Sequence, residues 1–408
     1  MKNIQYCFFL LIICMGICGS TVFAQQGTAE PKFKIGGYVQ GVWQYGEKDS
    51  KPSVGKYANG EENISRVGIR RGRLKFAYSE TFGKVVFQID ATENGVKVKD
   101  AYLELMHPSF EWIRFRGGIF DRPFGYEIRY SSYLRETLER STVVQTLFPQ
   151  ERDLGGMIVV RAPESHALHF LKLEGGLFAG NGINPDTDNK KDFIGRFSAE
   201  KTFGNLTLSG GVSTYLGKIK SVNDTTFRYV STGFEPDNAY IAGDYLSRQY
   251  FGMDIQIAHR HLLGVTTFRG EYLFGKQPGV SNSSKSPNAG ELPDISTQYY
   301  LREFSGAYAY LVHSFGQKKR PMHSLVLKYD FYNPNTKVSG NETGFNPNTS
   351  SADLATNAFT MGYLFSPCEQ IRIMATYEIR KNETTPHIGK YKSDRKDNLF
   401  TLGVLYKF

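Results

Sequence analysis

The chain has little cysteine and, beyond its N-terminus, no long apolar run. Of its four cysteines, Cys7, Cys14 and Cys18 lie in the first 24 residues, and only Cys368 lies beyond them. An internal disulfide is therefore excluded after residue 24. No stretch of 18 apolar residues follows that point either, which excludes a transmembrane helix there but leaves other routes through a membrane open.

Residues 1–24 have the layout of a secretory signal peptide. Lys2 supplies a positive start, FFLLIICMGIC an apolar core, and Val22-Phe23-Ala24 the residues before the cleavage site. We expect cleavage after Ala24 and export of residues 25–408. The formal net charge is +9, and loss of the single charge of Lys2 leaves +8. This balance favours acidic partners, namely anionic solutes, lipopolysaccharide or nucleic acid.

Period-two alternation of apolar and polar residues recurs throughout residues 25–408. In NLFTLGVLYKF, Phe400, Leu402, Val404, Tyr406 and Phe408 share one face. Segments of about ten residues with this pattern are typical of the strands of membrane barrels. Sixteen such segments can be assigned: 33–45, 64–78, 82–92, 97–107, 112–120, 154–162, 168–180, 192–202, 205–216, 246–259, 262–275, 299–315, 322–333, 356–366, 369–382 and 396–408. The number is even, as in bacterial single-chain barrels.

The connections between these segments alternate in length. Those after even-numbered strands are short, such as 79–81, 203–204 and 366–368, whereas most of those after odd-numbered strands are long: 46–63, 121–153, 217–245, 276–298, 334–355 and 383–395. Short periplasmic turns and long extracellular loops are expected of an outer-membrane barrel. We therefore predict an all-β fold, a transmembrane antiparallel β-barrel of about 16 strands that spans residues 25–408.

The segment RVGIRRGRLKFAYSE, residues 66–80, indicates which face of the barrel wall is in contact with water. Arg71, Arg73 and Lys75 share one face of this strand, opposite apolar residues. A Lys or Arg on the lipid face costs about 2–4 kcal/mol, so three would cost about 6–12 kcal/mol. The basic row should therefore face water inside the barrel. Arg70 has the opposite parity, so it should lie near the outer interface or snorkel towards it.

The same parity rule predicts an inward excess of basic side chains over acidic ones, roughly 15 to 9. The inward basic residues include Lys34, Lys84, Arg114, Arg116, Lys172, Arg196, Arg248, Arg269, Lys328, Arg372 and Arg380. Rings of Lys and Arg make a pore anion-selective. The alternative is a merely polar pore whose charges pair across strands. A nucleic-acid role is not favoured, because no aromatic stacking groups accompany the basic row in a reading groove.

Residues 121–153 form the longest connection, the third external loop. The loop contains five arginines, Arg122, Arg129, Arg135, Arg140 and Arg152, and six acidic residues, with helix-like text at 131–141. A loop this long is usually functional. We predict that it folds into the lumen and narrows it, with Arg122 and Arg129 near the permeating ion. The alternative is an external cap held together by its own ion pairs.

Several motifs resemble the phosphate-selective porin O and P family. They are GRLKFAYSETFGKVVFQID, KDAYLEL and RFRGGIFDRPFGYE, followed by SS, ERS and ERDLGGM, and the terminal LYKF resembles the assembly signal of outer-membrane barrels. The resemblance implies a sixteen-stranded homotrimer, an inward third loop, passive anion uptake and basic roles for Arg71, Arg73, Arg114 and Arg116. The loop 217–245 departs from the family's arginine ladder, because its only basic residues are Lys218, Lys220 and Arg228.

No catalytic or cofactor motif stands out. His259 and His261 have a spacing that could share a metal, but no third ligand is near in sequence, so we predict no metal site and no enzyme. The predicted function is an outer-membrane porin for small anions, with phosphate or polyphosphate as the candidate solute, in contact with outer-membrane lipid and lipopolysaccharide. The predicted anion-binding residues are Lys34, Arg71, Arg73, Lys75, Arg114, Arg116, Arg122 and Arg129. The alternatives are a barrel hydrolase and a closed-lumen surface receptor or adhesin.

Overall fold

A computed structural model describes residues 32–56, 62–107, 109–287, 294, 296–316 and 321–408. The predicted signal peptide lies outside these residues. The first nine strands, β1 to β9, are Lys32–Glu47, Asn63–Ser79, Gly83–Thr92, Gly95–His107, Phe110–Asp121, Arg152–Arg161, Leu171–Phe178, Asp192–Phe203 and Leu206–Lys220. A hairpin follows, with β10 Thr226–Val230 and β11 Gly233–Asp237. The last seven strands, β12 to β18, are Tyr245–His261, Gly264–Gly279, Tyr300–Phe315, His323–Asn333, Thr356–Phe365, Ile371–Asn382 and Leu399–Lys407.

Sixteen of these strands form a closed antiparallel barrel. Each wall strand pairs with the next along the chain, and β9 pairs with β12, so the hairpin β10–β11 is left out of the wall. The barrel closes where β18 pairs with β1. At this seam Gly37 and Phe408 exchange backbone hydrogen bonds, N to O, of 3.2 and 3.0 Å. The prediction of a sixteen-stranded antiparallel barrel is confirmed.

The two ends of the barrel differ as the connection lengths predict. At one end, called the short-turn end, the connections include 80–82, 204–205, 262–263 and 366–370. The other end, the long-loop end, carries 48–62, 122–151, 179–191, 221–244, 280–299, 334–355 and 383–398, with 93–94 as a tight turn among them. The first wall strand begins and the last one ends at the short-turn end.

Side chains alternate between an apolar outer face and a polar interior. Val67, Phe115, Leu173 and Val404 are examples of large apolar residues that are exposed on the outer face. Arg71 and other charged residues are buried on the inner face. An exposed apolar band with polar groups inside is the reverse of a water-soluble sheet and fits a wall that faces lipid. Among the described residues, no helix is long and apolar enough to cross a membrane.

The only α-helix in the described part of the chain, α1, is Thr142–Leu147 in the third loop. The helix-like pattern at 131–141 predicts a helix there, and this is wrong, because those residues form turns and bends. The physical reason is that their side chains bind opposite sides of the barrel. Ser132 bonds Tyr38 on β1, Glu136 bonds Arg269 on β13, and Glu139 bonds Arg70 on β2.

Candidate functional site

The third loop, residues 122–151, crosses the barrel interior. Its backbone and side chains hydrogen-bond to inward residues of strands all around the wall. These contacts join Ser132 to Tyr38 on β1 (2.6 Å), Gly125 to Ser213 on β9 (2.9 Å), Thr137 to Tyr310 on β14 (2.9 Å), Thr142 to Asp330 on β15 (2.7 Å) and Tyr133 to Arg372 on β17 (2.7 Å). A loop tied to opposite walls divides the lumen.

One half of the interior is packed. Val143, Val144, Leu147 and Phe148 of the loop are buried against Tyr215, Tyr250, Phe304 and Tyr332, which are inward residues of β9, β12, β14 and β15. The Phe148 ring lies 5.5 Å from the Tyr250 ring and 5.0 Å from Phe124. On β14, position 306 must be glycine for this fit, because a Cβ there would lie 2.6 Å from Val143 Cγ2.

The other half holds an outer cavity of about 640 Å³ at the long-loop end. It is bounded by inward residues of β1 to β4 and β16 to β18 and by loop residues 137–151. Eight of its lining residues are basic, namely Lys51, Arg70, Arg71, Arg73, Lys99, Arg140, Lys285 and Arg380, and four are acidic, namely Asp90, Glu139, Glu151 and Glu378. The difference, eight minus four, is a formal charge of +4. Such a cavity attracts anions.

A β-bulge brings Arg70 into this cavity, which corrects the sequence prediction. On β1, Gln40 lies opposite Arg71 and Gly41 lies opposite Ile69, so Arg70 is the extra residue of a register shift. At a bulge, two consecutive residues of one strand lie opposite one residue of its partner, so Arg70 and Arg71 point to the same side of the sheet. Arg70 therefore points inward, where its guanidinium binds the Glu139 carboxylate at 2.5 and 2.9 Å.

A second bulge does the same for Lys99 on β4. Gln88 on β3 lies opposite Asp100, and Ile89 lies opposite Val98, so Lys99 has no partner across the ladder. Its side chain lines the outer cavity. Both bulges thus add a cation that strict alternation would exclude from the interior. No pattern in the sequence marks either bulge.

Arg71 and Arg73 lie where the sequence predicted them and are held by specific partners. Arg71 donates to Gln40 Oε1 at 2.8 Å and to the Leu138 carbonyl oxygen at 3.1 Å. Arg73 pairs with Asp90 at 3.4 Å, and its guanidinium lies 5.9 Å from the centre of the Tyr38 ring. Both side chains are therefore fixed in orientation at the edge of the cavity.

Two loop carboxylates in the cavity stay ionised. Burial alone raises the pKa of Glu139, but the guanidinium groups of Arg70 and Arg71 outweigh it and hold the pKa below its usual value. In the same way, burial raises the pKa of Glu151, and Arg140 and Lys99 lower it further than burial raises it, so that it ends well below normal. These carboxylates offset part of the positive charge and tie the loop to the basic wall.

Lys34, Lys75 and Arg114 continue the basic row towards the short-turn end. All three face inward and are exposed, and none makes an ion pair within the described ranges. Lys84 stands near them and interacts electrostatically with Lys34 and Lys75. Unlike Arg71 and Arg73, these groups are free to meet a solute.

Arg116 and Arg129 line a second, inner cavity of about 450 Å³. Ser198, Glu200 and Ser209, near the short-turn ends of β8 and β9, also line it. Arg116 pairs with Glu104 on β4, and Arg129 pairs with Glu174 on β7. The third loop contributes residues 125–134 to this cavity and residues 137–151 to the outer one, so the loop lies between them.

Arg122 has a different place from the one the sequence predicted. Its side chain is fully buried and binds Asp153 at 2.9 Å and the carbonyl oxygen of Gln150 at 2.8 Å. Its guanidinium also lies 5.7 Å from the centre of the Phe148 ring. Arg122 holds the base of the third loop and offers no open face to a solute.

Many other inward cations are paired, as the alternative of a merely polar pore expects. Seven of the eleven inward basic residues named from parity have a carboxylate partner: Arg116, Lys172, Arg196, Arg248, Arg269, Lys328 and Arg380. The excess positive charge is therefore local. It lies in the outer cavity and along β1 to β5 rather than around the whole lumen.

The two histidines that could share a metal have a neighbour from another strand. His261 and His313 both hydrogen-bond Thr266 Oγ1 at 2.9 Å, and the rings of His259 and His261 are 5.5 Å apart. Even so, the part of the chain that the structure describes contains no group of three or more His, Cys, Asp or Glu able to hold a metal ion.

Comparison with solved structures finds the same fold in several outer-membrane proteins. The chain is similar to an anion-selective porin from Comamonas acidovorans (TM-score 0.55, 12% identity, 93% of this chain and 100% of that one). It is similar to OprB of Pseudomonas putida (TM-score 0.56, 10% identity, 93% and 94%). It also resembles the trimer form of OmpT, an outer membrane protein of Vibrio cholerae (TM-score 0.51, 10% identity, 93% and 99%). At these identities the likeness shows the fold, a porin-type barrel.

Comparisons with protein-family models and with curated proteins gave no match. The resemblance to the phosphate-selective porin O and P family therefore stays a prediction.

Proposed function

We propose that this chain is an outer-membrane porin through which small anions, phosphate among them, diffuse passively. The observation that carries the proposal is the charge of the outer cavity, where eight basic side chains face four acidic ones. The excess sits on the path from the long-loop end into the barrel, and the similar fold of an anion-selective porin supports this function.

The basic row on β2 gives the proposed path its spacing. Arg71, Arg73 and Lys75 occupy every second position of β2, so successive cations lie about 6.6 Å apart along the strand. A small anion can therefore approach the next cation before it leaves the last. Many weak sites in series allow entry without trapping, which conduction requires. No bond is made or broken in this mechanism.

Pairing of Arg71 and Arg73 is compatible with this role. A guanidinium carries five N–H donors, and the contacts to Gln40, Leu138 and Asp90 use only some of them. The remaining donors can replace part of the hydration shell of an anion. The exposed Lys75, Lys34 and Arg114 would then receive the ion beyond the third loop.

The proposed location and assembly follow from the wall of the barrel. A large apolar outer face suits outer-membrane lipid, with lipopolysaccharide at the long-loop end. The trimer form of a similar barrel supports a homotrimer. We also propose that residues 1–24 are removed on export.

Single-channel recording in a planar bilayer tests the proposal. With purified protein in the bilayer and a chloride salt gradient across it, we expect a reversal potential whose sign shows that chloride permeates better than its cation. We also expect added phosphate to reduce the chloride current. A cation-selective current would contradict the anion assignment. Absence of conductance in folded protein would instead favour a closed-lumen receptor, and hydrolysis that a single His substitution abolishes would favour the barrel hydrolase.

A further inference from the structure

Four exposed lysines lie close together on the outer wall at the long-loop end. Lys218 and Lys220 lie at the end of β9, Lys276 lies near the end of β13, and Lys190 lies in the connection before β8. On β9 the side chains of Tyr215 and Ile219 are buried in the interior, so Lys218 and Lys220 point away from the lumen. We call these four residues the outer lysine patch.

Strand register brings the patch together across three neighbouring strands. Lys218 lies opposite Ser247 and Lys220 opposite Tyr245, both on β12. Lys276 lies opposite Gln249, two residues further along β12. Lys190 reaches the same place, because its Nζ lies 5.6 Å from the centre of the Tyr245 ring.

The patch lies just beyond the apolar band. On β9 the outward positions from Leu206 to Leu216 carry no charge, and Lys218 is the next outward residue. These ten steps, at 3.3 Å each and a strand tilt of about 40°, span about 25 Å of barrel height. That is the height of the hydrocarbon-facing band in such barrels. The lysines therefore lie at the level of lipid headgroups.

Two other exposed lysines at this end differ from those of the patch, because they have carboxylate partners. Lys381 pairs with Asp394 at 2.7 Å, and Lys337 pairs with Glu303 at 3.1 Å. Glu303 lies directly opposite Lys276, but its carboxylate binds Lys337. None of the four patch lysines makes an ion pair within the described ranges of the chain. Four ammonium groups without an ion pair to the described residues give this part of the outer wall a local positive charge, which attracts anionic groups.

We propose that the outer lysine patch binds the phosphate groups of a phosphorylated lipid in the leaflet at the long-loop end, which is lipopolysaccharide in an outer membrane. Lysine ammonium groups bind phosphate as point charges, and the uncharged Ser247 and Gln249 between them can donate hydrogen bonds. This inference rests on the proposed outer-membrane location. It does not depend on anion passage through the lumen.

The test uses the full chain in detergent and measures binding of purified lipid A by native mass spectrometry. Lipid A with both phosphates and the same lipid A without phosphate are the two probes. We expect the wild-type protein to prefer the phosphorylated form by about tenfold or more, because each lysine near an anionic lipid surface adds to the attraction. The variant K190Q/K218Q/K220Q/K276Q should lose that preference.

A control variant, K32Q/K201Q/K390Q/K392Q, removes the same number of exposed charges elsewhere and should bind like wild type. Heat-dependent gel mobility checks that each barrel is folded. Equal binding of the two lipids to wild type, or an unchanged preference in the patch variant, would overturn the inference. Reversal potentials measured on the same wild-type protein report on the porin function separately, so either proposal can fail without the other.

Discussion

The two halves of the barrel interior are built on the same strand alternation but have opposite character. Along β9 and β12 to β15, inward aromatic residues such as Tyr215, Tyr250 and Phe304 pack against Val143 and Phe148 of the third loop. Along β1 to β4 and β16 to β18, the wall borders the outer cavity with its excess of basic side chains, and the loop contacts these through Glu139 and Glu151. The first half fixes the loop, and the second leaves a charged cavity beside it.

This difference indicates how a barrel can be both rigid and open. Apolar packing is short-range and excludes water, so the packed half holds the loop in one place. Ion pairs at the edge of a wet cavity orient side chains while leaving N–H groups for a passing anion. Each half can therefore be changed without the other, and the two kinds of change should have different readouts.

The largest expected effect comes from the packed half. Phe148→Ala removes a buried ring that contacts Phe124, Tyr215 and Tyr250. The loss should weaken the packing of the loop against the wall by about 3–5 kcal/mol. We expect larger and noisier single-channel currents, because the loop leaves its wall. Phe345→Ala, an exposed loop phenylalanine, is the matched control and should leave the current unchanged. If the current of F148A were as small and as free of noise as that of the wild type, packing by Phe148 would not be what holds the loop.

The next effect comes from the charged half. The variant R71Q/R73Q/K75Q removes three inward cations, so its reversal potential should move towards the cation side while its conductance stays similar. K218Q/K220Q/K276Q removes the same charge from the outer wall and should leave the reversal potential as in wild type. An equal shift in both variants would mean that overall charge, and not the lumen row, sets selectivity.

A smaller effect is expected at the ion pairs that join the third loop to the charged wall. Glu139→Gln removes the carboxylate that binds Arg70 and Arg71, which costs about 1.5–3 kcal/mol of local anchoring. The cavity gains one positive charge, so anion current should rise, with more open-channel noise. Glu164→Gln, at an exposed turn position, is the control. An unchanged current in E139Q would argue that this ion pair contributes nothing to the position of the loop.

The smallest expected effect is the pH dependence of the Glu139 ion pairs. The folded-state pKa of Glu139 lies below its usual value, so the anchoring is present above the ordinary carboxylate pKa of about 4 and is lost as pH falls through the depressed value. The difference in noise between wild type and E139Q should persist from pH 8 to pH 5 and disappear at lower pH. A difference that disappears near neutral pH would show that Glu139 is not held as a carboxylate.

Much of the wall could be predicted because alternation has a strict period of two. Each of the sixteen predicted strands overlaps an observed one, and the inward facing of Arg71 and Arg73 follows from parity alone. The same rule predicted the wrong face for Arg70, because a bulge inserts one extra residue and the alternation of apolar residues gives no sign of it. It also could not reveal that Lys99 lines the cavity, for the same reason.

The third loop was harder to predict because its conformation depends on partners that are distant in sequence. Glu136 is held by Arg269, 133 residues away, and Ser132 by Tyr38, 94 residues away. Local helix propensity at 131–141 is a fraction of a kcal/mol per residue, which is small beside several buried polar contacts. The burial of Arg122 was decided in the same way, by Asp153 and Phe148.

The sequence by itself determined the number of wall strands, the short and long ends of the barrel and, away from the two bulges, the face of each strand that meets water. These features follow from the cost of placing charge against an apolar surface, which acts residue by residue along each strand. Only the tertiary structure decided which cations are paired and which are free, where the loop lies, and that the positive excess is confined to one side. Those features depend on the register between strands and on contacts across the lumen, which no single segment contains.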